Sequence, residues 1–306
     1  MFSKIVKAVK SKWIFSKPAK KFMLIYDLPD LFERFVEKNQ YEVLDIRYQS
    51  INIYILTKTI FITGFKDLTT NYKKNYLLSV SPKLVISSID NDLSFFKLKK
   101  LYKKAKFACI QISLRNTIFL EQCRSYNKIK DNIKLFSDFF YVYGKNDKLA
   151  LSKYIDSKYI LNGSVINNLY KTSLNNKVKK IIFIAQATFG PERLDQEIKI
   201  FEKIIKLSSE LNLPLFYLLK TKNNHFVTKK IKDYFKERIL KKDFFLIERD
   251  EDTYSHLRSN AIFFTNSSTL GFEAISRKKK VIFLPLSNFP VKNYLKRYPR
   301  NGPFWT

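Results

Sequence analysis

Thr265-Asn266-Ser267-Ser268-Thr269-Leu270-Gly271-Phe272-Glu273-Ala274 is the stretch that decides how this chain reads. An apolar run, Ala261-Ile262-Phe263-Phe264, precedes it. After a short helix-like segment comes a second run, Val281-Ile282-Phe283-Leu284-Pro285. Short apolar runs separated by a helical segment fit buried strands of a parallel sheet. Hydroxyl side chains and a glycine stand between them, where the helix should begin. The first turn of a helix leaves backbone N–H groups without partners and carries partial positive charge. Ser267, Ser268 and Thr269 therefore have two readings: they cap the helix, or they seat an anionic phosphate.

Outward from that stretch, strand-like and helix-like segments alternate. Phe22–Tyr26 ends at Asp27, Tyr41–Ile46 follows, and Lys83–Ile89 closes on Asp90-Asn91-Asp92. Lys106–Gln111 and Asp138–Gly144 continue the series, with helical patterns over 31–38 and 93–102. A polar, Lys- and Asn-rich stretch over 167–180 reads as a linker. The pattern then repeats: strands at Lys180–Ala185, Leu215–Leu219 and Phe244–Ile247, helices over 196–211, 227–239 and 252–258. The expectation is an α/β chain of two doubly wound domains, residues 22–165 and 178–306, behind an N-terminal segment, residues 1–21.

Composition narrows the class. With 306 residues and 45% hydrophobic content, each domain has enough apolar material for a core. The two cysteines, Cys109 and Cys123, have no metal-ligand spacing and make no disulfide framework. No run of apolar residues is long enough for a transmembrane helix, and the N-terminus lacks a signal-peptide pattern. The expected residence is cytoplasmic. The net charge of +30 favours anionic partners. Much of it is Lys in a chain also rich in Asn, Ile, Phe and Tyr, the set an AT-rich genome encodes. Residues 1–21 hold seven lysines, with Phe2, Ile5, Val6, Val9 and Trp13 at helical spacing. That fits a basic amphipathic helix on an anionic membrane surface, or one whose apolar stripe packs on the domain.

In doubly wound sheets, ligands bind beyond the carboxyl ends of the strands, and two such domains make the cleft between them the default site. The strand-end polar residues are Asp27, Asp90, Asn91, Gln111, Gln186, Lys220 and 267–269. Asp90 is the candidate general base toward a sugar hydroxyl, or a cap for the next helix. Glu273 is placed to accept from ribose hydroxyls, or to answer the helix dipole. With six glycines and no GxGxxG or Walker loop, a classical dinucleotide or P-loop enzyme is not expected. His225 and His256 are the only histidines, too isolated for a metal site or a triad.

The assembled motifs resemble the bacterial surface carbohydrate biosynthesis proteins, a group of glycosyltransferases with two facing Rossmann-like domains, the GT-B architecture. The resemblance runs through Leu24–Asp27, Tyr41–Arg47, Ser50-Ile51-Asn52, Ile89-Asp90-Asn91 with Ser94-Phe95, Ile110-Gln111, Ser267–Ala274 and Gly302–Thr306. It implies transfer of a sugar from a nucleotide-sugar donor to a glycan or lipid-linked glycan acceptor. Ser267, Ser268, Thr269, Gly271, Glu273, Lys220 and Gln186 would then serve the donor, and Asp27, Asn91 and Gln111 the acceptor, with no cofactor and no metal. By analogy the donor is CMP-linked. Lys220 or Arg277 would offset charge on the leaving phosphate. The family usually has Gly where this chain has Lys278; a left-handed residue there costs about 1 kcal/mol relative to Gly. The sequence given runs to Thr306, where GT-B enzymes commonly send a final helix back to the N-terminal domain; either the chain is naturally short or the cleft is less well closed.

Three rivals stand beside that reading. A nucleotide-sugar epimerase shares the architecture. A non-catalytic scaffold would tolerate loss of Asp90. A basic nucleic-acid-binding protein rests on charge alone, since no recognised module is present.

Overall fold

The structure, a computed structural model, describes residues 11–47, 49–115, 117–129, 134–170, 179–186, 191–220, 225–248 and 253–284. The chain divides into two compact units, Met1–Ile166 and Asn167–Thr306.

The first unit runs β1 (Lys12–Ile14), β2 (Met23–Tyr26), β3 (Tyr41–Leu44), β4 (Ser50–Asn52), α1 (Ile53–Thr63), α2 (Leu68–Val80), β5 (Leu84–Ser87) and α3 (Leu93–Leu101). It continues with β6 (Lys106–Ile110), α4 (Thr117–Ile129), β7 (Leu135–Val142), α5 (Lys145–Leu151), β8 (Ile155–Leu161) and α6 (Val165–Asn168), which crosses the division. Six strands form one parallel sheet in the order β3-β2-β5-β6-β7-β8. Leu24 and Val85 on two central strands are completely buried, as parallel strands covered on both faces should be. Phe95 and Phe96 of α3 pack with Phe107 and Phe140 into the core.

The second unit runs β9 (Lys180–Ile184), α7 (Pro191–Glu210), β10 (Leu215–Leu218), α8 (Phe226–Tyr234), α9 (Lys236–Leu240), β11 (Phe245–Ile247), α10 (Thr253–His256), β12 (Ala261–Thr265), α11 (Thr269–Ser276) and β13 (Lys280–Phe283). Its five strands are parallel, in the order β11-β10-β9-β12-β13. Leu194, Ile198, Phe201 and Ile205 bury one stripe of α7 at helical spacing. Phe201 meets Tyr217 and Phe244 edge-on at 4.6 and 4.8 Å, a geometry that adds to the gain from area alone.

Within the N-terminal helix expected over residues 1–21, the part at residues 12–14 is corrected. Lys12–Ile14 is a strand, paired in parallel with Ser50–Asn52. The Lys12 N–H donates to Gln49 O at 2.9 Å, and Asn52 Nδ2 donates to Ser16 O at 2.9 Å. Those partners satisfy backbone groups of the segment that a local helix would otherwise have to pair. Residues 1–10 lie outside the described residues, as does the motif at 302–306.

The apolar run 51–61 breaks at Asn52. Its side chain accepts from the Ile55 N–H at 3.0 Å and starts α1 there. The left-handed conformation considered for Lys278 is present, with φ at 59°. The Lys279 N–H reaches Ala274 O at 3.0 Å and the Lys278 N–H reaches Ile275 O at 2.8 Å. That pair of bonds is a Schellman ending for α11.

Candidate functional site

Strand order locates the candidate sites. In the second unit the chain moves from β9 through β10 to β11 on one side, then returns to β12 on the other side of β9. The residues just after β9 and β12 therefore flank a topological switch point, where connections diverge and leave a crevice. Those residues are Gln186 and Asn266. In the first unit the same reversal separates β2 from β5, and Asp27 and Asp90 follow those strands.

A buried carboxylate organises the second switch point. Glu197 of α7 is fully buried. It accepts from the Gln186 N–H at 2.8 Å, from Asn266 Nδ2 at 2.8 Å and from the Tyr217 hydroxyl at 2.7 Å. One side chain thus ties the ends of β9, β10 and β12. Burial, and then the Glu197 charge, push the Tyr217 hydroxyl well above its ordinary pKa, so it remains a donor. Sequence reading missed Glu197, which looks like any polar residue within an amphipathic helix.

Asn266 is 1% exposed, and its Oδ1 has no hydrogen-bond partner among the described residues. A buried acceptor left this way is costly unless something donates to it. Lys220 stands beside the same crevice, its Nζ donating to Gln186 Oε1 at 3.3 Å. Gln186 and Lys220, named from sequence on separate strands, are brought together.

The 267–269 segment opens α11. Ser268 is the N-cap: its hydroxyl accepts from the Leu270 N–H at 3.3 Å, and its own N–H donates to Thr265 Oγ1 at 3.3 Å. Thr265 Oγ1 in turn donates to Ile184 O at 3.1 Å, locking the helix start onto β9. Ser268 is nearly buried, while Ser267 and Thr269 are half-buried around it. Gly271 has a packing role. A Cβ there would lie 2.6 Å from Thr265 Cγ2 and 3.2 Å from the Phe283 ring. Its lack of a side chain lets α11 sit close on β12 and β13. Glu273 is 4% exposed, one turn ahead of Arg277. Arg277 is committed elsewhere: its Nε donates to Asn167 Oδ1 at 2.5 Å and its Nη2 to Tyr170 O at 2.9 Å. That leaves Lys220 as the cation of this crevice named from sequence.

The first switch point is held by internal pairs. Asp27 and Leu28 both have left-handed φ values, 61° and 46°, a backbone strain of the kind that clusters at functional sites. The Asp27 carboxylate is 1% exposed and meets Arg47 Nε at 2.7 Å. Burial pushes its pKa up while Arg47 draws it down, with a net rise. Asp90 is completely buried, and both of its oxygens are engaged by Arg115. As it stands, Asp90 fixes Arg115 and turns no free oxygen outward. Asn91 is exposed beside it. Gln111 is 1% exposed; its Nε2 donates to Asp147 Oδ1 and to Ser113 O at 3.1 Å, and its Oε1 accepts from the Tyr143 N–H at 2.9 Å. Its amide joins strand ends.

A network that sequence reading missed lies next to them. Lys73 of α2 donates to the Tyr26 hydroxyl at 2.6 Å and to Ser94 Oγ at 2.8 Å, and Tyr26 donates to Asp92 Oδ2 at 2.6 Å. Asp92 also caps α3. Burial pushes the Asp92 carboxyl up, but its bonds from Tyr26 and Ser94 and the Lys73 charge outweigh that and hold it below its ordinary pKa.

Among the described residues, no cluster of three or more His, Cys, Asp or Glu side chains is placed to hold a metal, and no helix is long and apolar enough to cross a membrane. His225 caps α8, its Nδ1 accepting from the Val227 N–H at 3.3 Å.

No protein-family model matches the sequence, and no curated protein matches it. Solved structures do match in fold. The chain is similar to the UDP-GlcNAc 2-epimerase of Neisseria meningitidis bound to UDP-GlcNAc, with TM-score 0.51 and 15% identity over 90% of this chain and 85% of that one. It is similar to the UDP-GlcNAc 2-epimerase of Methanocaldococcus jannaschii, with TM-score 0.50 and 14% identity over 93% and 95%. It is also similar to the MnaA protein of S. aureus solved with UDP, with TM-score 0.51 and 15% identity over 90% and 82%. The fold is α/β with two Rossmann-like domains, of the GT-B type.

Proposed function

We propose that the chain is a nucleotide-sugar enzyme of the GT-B type: a glycosyltransferase that moves a sugar from a nucleotide donor, CMP among the candidates, to a bacterial surface glycan. The observation that carries this reading is the second unit's switch point. There the Ser268-capped start of α11, the Lys220 ammonium next to Gln186 and the buried Asn266 Oδ1, which has no partner among the described residues, stand at the ends of adjoining parallel strands. Helix N–H groups, hydroxyls and an ammonium suit a phosphate. A ribose or sugar hydroxyl is the donor that Asn266 Oδ1 lacks. Asp90 enters as a positioning residue for Arg115 on the acceptor side.

Titration calorimetry with CMP, UDP and GDP tests the reading. One nucleotide should bind, and Lys220→Ala should weaken it roughly tenfold or more, the range for a charged hydrogen bond. No binding by any of them removes the donor site.

A second reading, the nucleotide-sugar epimerase, is favoured by the neighbours solved with UDP-GlcNAc and UDP. An epimerase converts its nucleotide sugar with no acceptor present. A transferase releases nucleotide only when glycan is supplied. Product analysis with and without glycan separates them.

A further inference from the structure

The first unit carries an exposed apolar helix end that the nucleotide reading does not use. Helices α1 and α2 pack against each other and are joined by residues 64–67, so they form a helical hairpin. Gly64 turns the chain at its end, with φ 61° and ψ −147°, a region open in practice only to glycine. At that end Phe61 is 94% exposed, Phe65 78% and Ile62 59%. Phe61 and Phe65 are the two most exposed large apolar side chains among the described residues.

The helix is not exposed by default. Ile55 and Thr59 of α1 are completely buried, and Thr59 Oγ1 accepts from Asn75 Nδ2 of α2 at 3.0 Å. The inner face is therefore specified, and the apolar surplus lies on the outer face and the tip. The segment itself carries charge of one dominant sign. Residues 51–80 hold Lys58, Lys66, Lys73 and Lys74 against a lone acid, Asp67. Lys73 is turned inward to Tyr26. Lys66 and Lys74 are exposed, and Lys58 is half-buried one turn before Phe61.

We propose that this hairpin tip docks on an anionic lipid bilayer. Phe61, Ile62 and Phe65 enter the boundary between headgroups and acyl chains, and Lys58, Lys66 and Lys74 meet lipid phosphates. The partner follows from the two features together. Exposed phenyl rings and an isoleucine at a hairpin tip gain most from a surface they can penetrate. Ammonium groups beside them add attraction only where that surface is negative, about 1 kcal/mol per Lys near an anionic leaflet. The contact is distinct from the basic segment at residues 1–21, and it does not depend on the donor site.

The test is flotation of the full chain with phosphatidylcholine vesicles, with and without phosphatidylglycerol, at low and high salt. The wild type should float with the anionic vesicles and be released by salt. Phe61→Ser with Phe65→Ser should lower partitioning roughly tenfold or more, given the methylene-scale gains of interfacial burial. Phe61→Leu with Phe65→Leu should retain it. Since these side chains are exposed, melting temperature and nucleotide binding should be unchanged in both variants. Three results would overturn the proposal: equal binding to neutral vesicles, full binding by the double serine variant, or a dimer that dissociates in that variant while neither protein floats.

Discussion

Glu197 accepts from Asn266 Nδ2 at 2.8 Å and so fixes the orientation of that buried amide. With the nitrogen held by the carboxylate, Asn266 must present Oδ1 at the end of β12. The same carboxylate takes the Gln186 N–H and the Tyr217 hydroxyl. The crevice therefore has its polarity set from behind, by a residue that no ligand need touch.

Removing that carboxylate should loosen three strand ends together. Glu197→Ala leaves buried donors unsatisfied and should cost about 3–5 kcal/mol in denaturant unfolding. Glu197→Gln keeps the shape and one acceptor, and should cost about 1–2 kcal/mol. In the Gln variant, nucleotide affinity should fall while the fold persists. Unchanged affinity there would separate Glu197 from the site.

Asp90 and Arg115 distinguish a base from a buried pair. Asp90→Asn removes the charge that faces a guanidinium whose side chain is only 12% exposed, and should destabilise the protein by about 3–5 kcal/mol. Replacing both residues with apolar ones should recover much of that loss. A free catalytic base would behave differently: Asp90→Asn would abolish turnover and leave the melting temperature alone.

Gly271 offers a clash with a named remedy. Gly271→Ala places a methyl 2.6 Å from Thr265 Cγ2 and should cost about 1–3 kcal/mol. Thr265→Ser removes that methyl while keeping the hydroxyl that bonds Ile184 O. The double variant should regain part of the loss in thermal melts, although the Phe283 ring at 3.2 Å still limits the fit. No coupling between the two substitutions would mean that α11 shifts as a body.

Lys278 holds φ at 59° on the exposed ending of α11. Lys278→Gly should raise stability by up to about 1 kcal/mol, because glycine adopts that conformation without its Cβ penalty. A fall in melting temperature would point to a Lys278 contact that outweighs the strain.

Much of the architecture was legible because parallel strands leave a strong mark. Runs such as Ile181–Ile184 are buried on both faces and read as unbroken apolar segments. Other elements left weaker marks. α2 mixes Asn, Thr and Lys with its apolar residues, yet Lys73 and Asn75 are buried there by partners on other elements. β8 lies at the sheet edge, where exposure alternates and the apolar run disappears. At the N-terminus, Lys12–Ile14 took strand pairing from β4, a partner about forty residues away that helical spacing cannot reveal.

The sequence by itself determined an α/β chain of two repeating halves and the hydroxyl-rich helix start at 267–269. Each follows from local periodicity or local backbone chemistry. Only the tertiary structure decided which polar residues face outward at the switch points. It joined Gln186 to Lys220, set the Asn266 amide through Glu197, and committed Arg277 to Asn167. It also enclosed Asp90 with Arg115. Those outcomes depend on pairings between residues far apart in the chain, and a buried charge is satisfied by whatever partner the fold delivers.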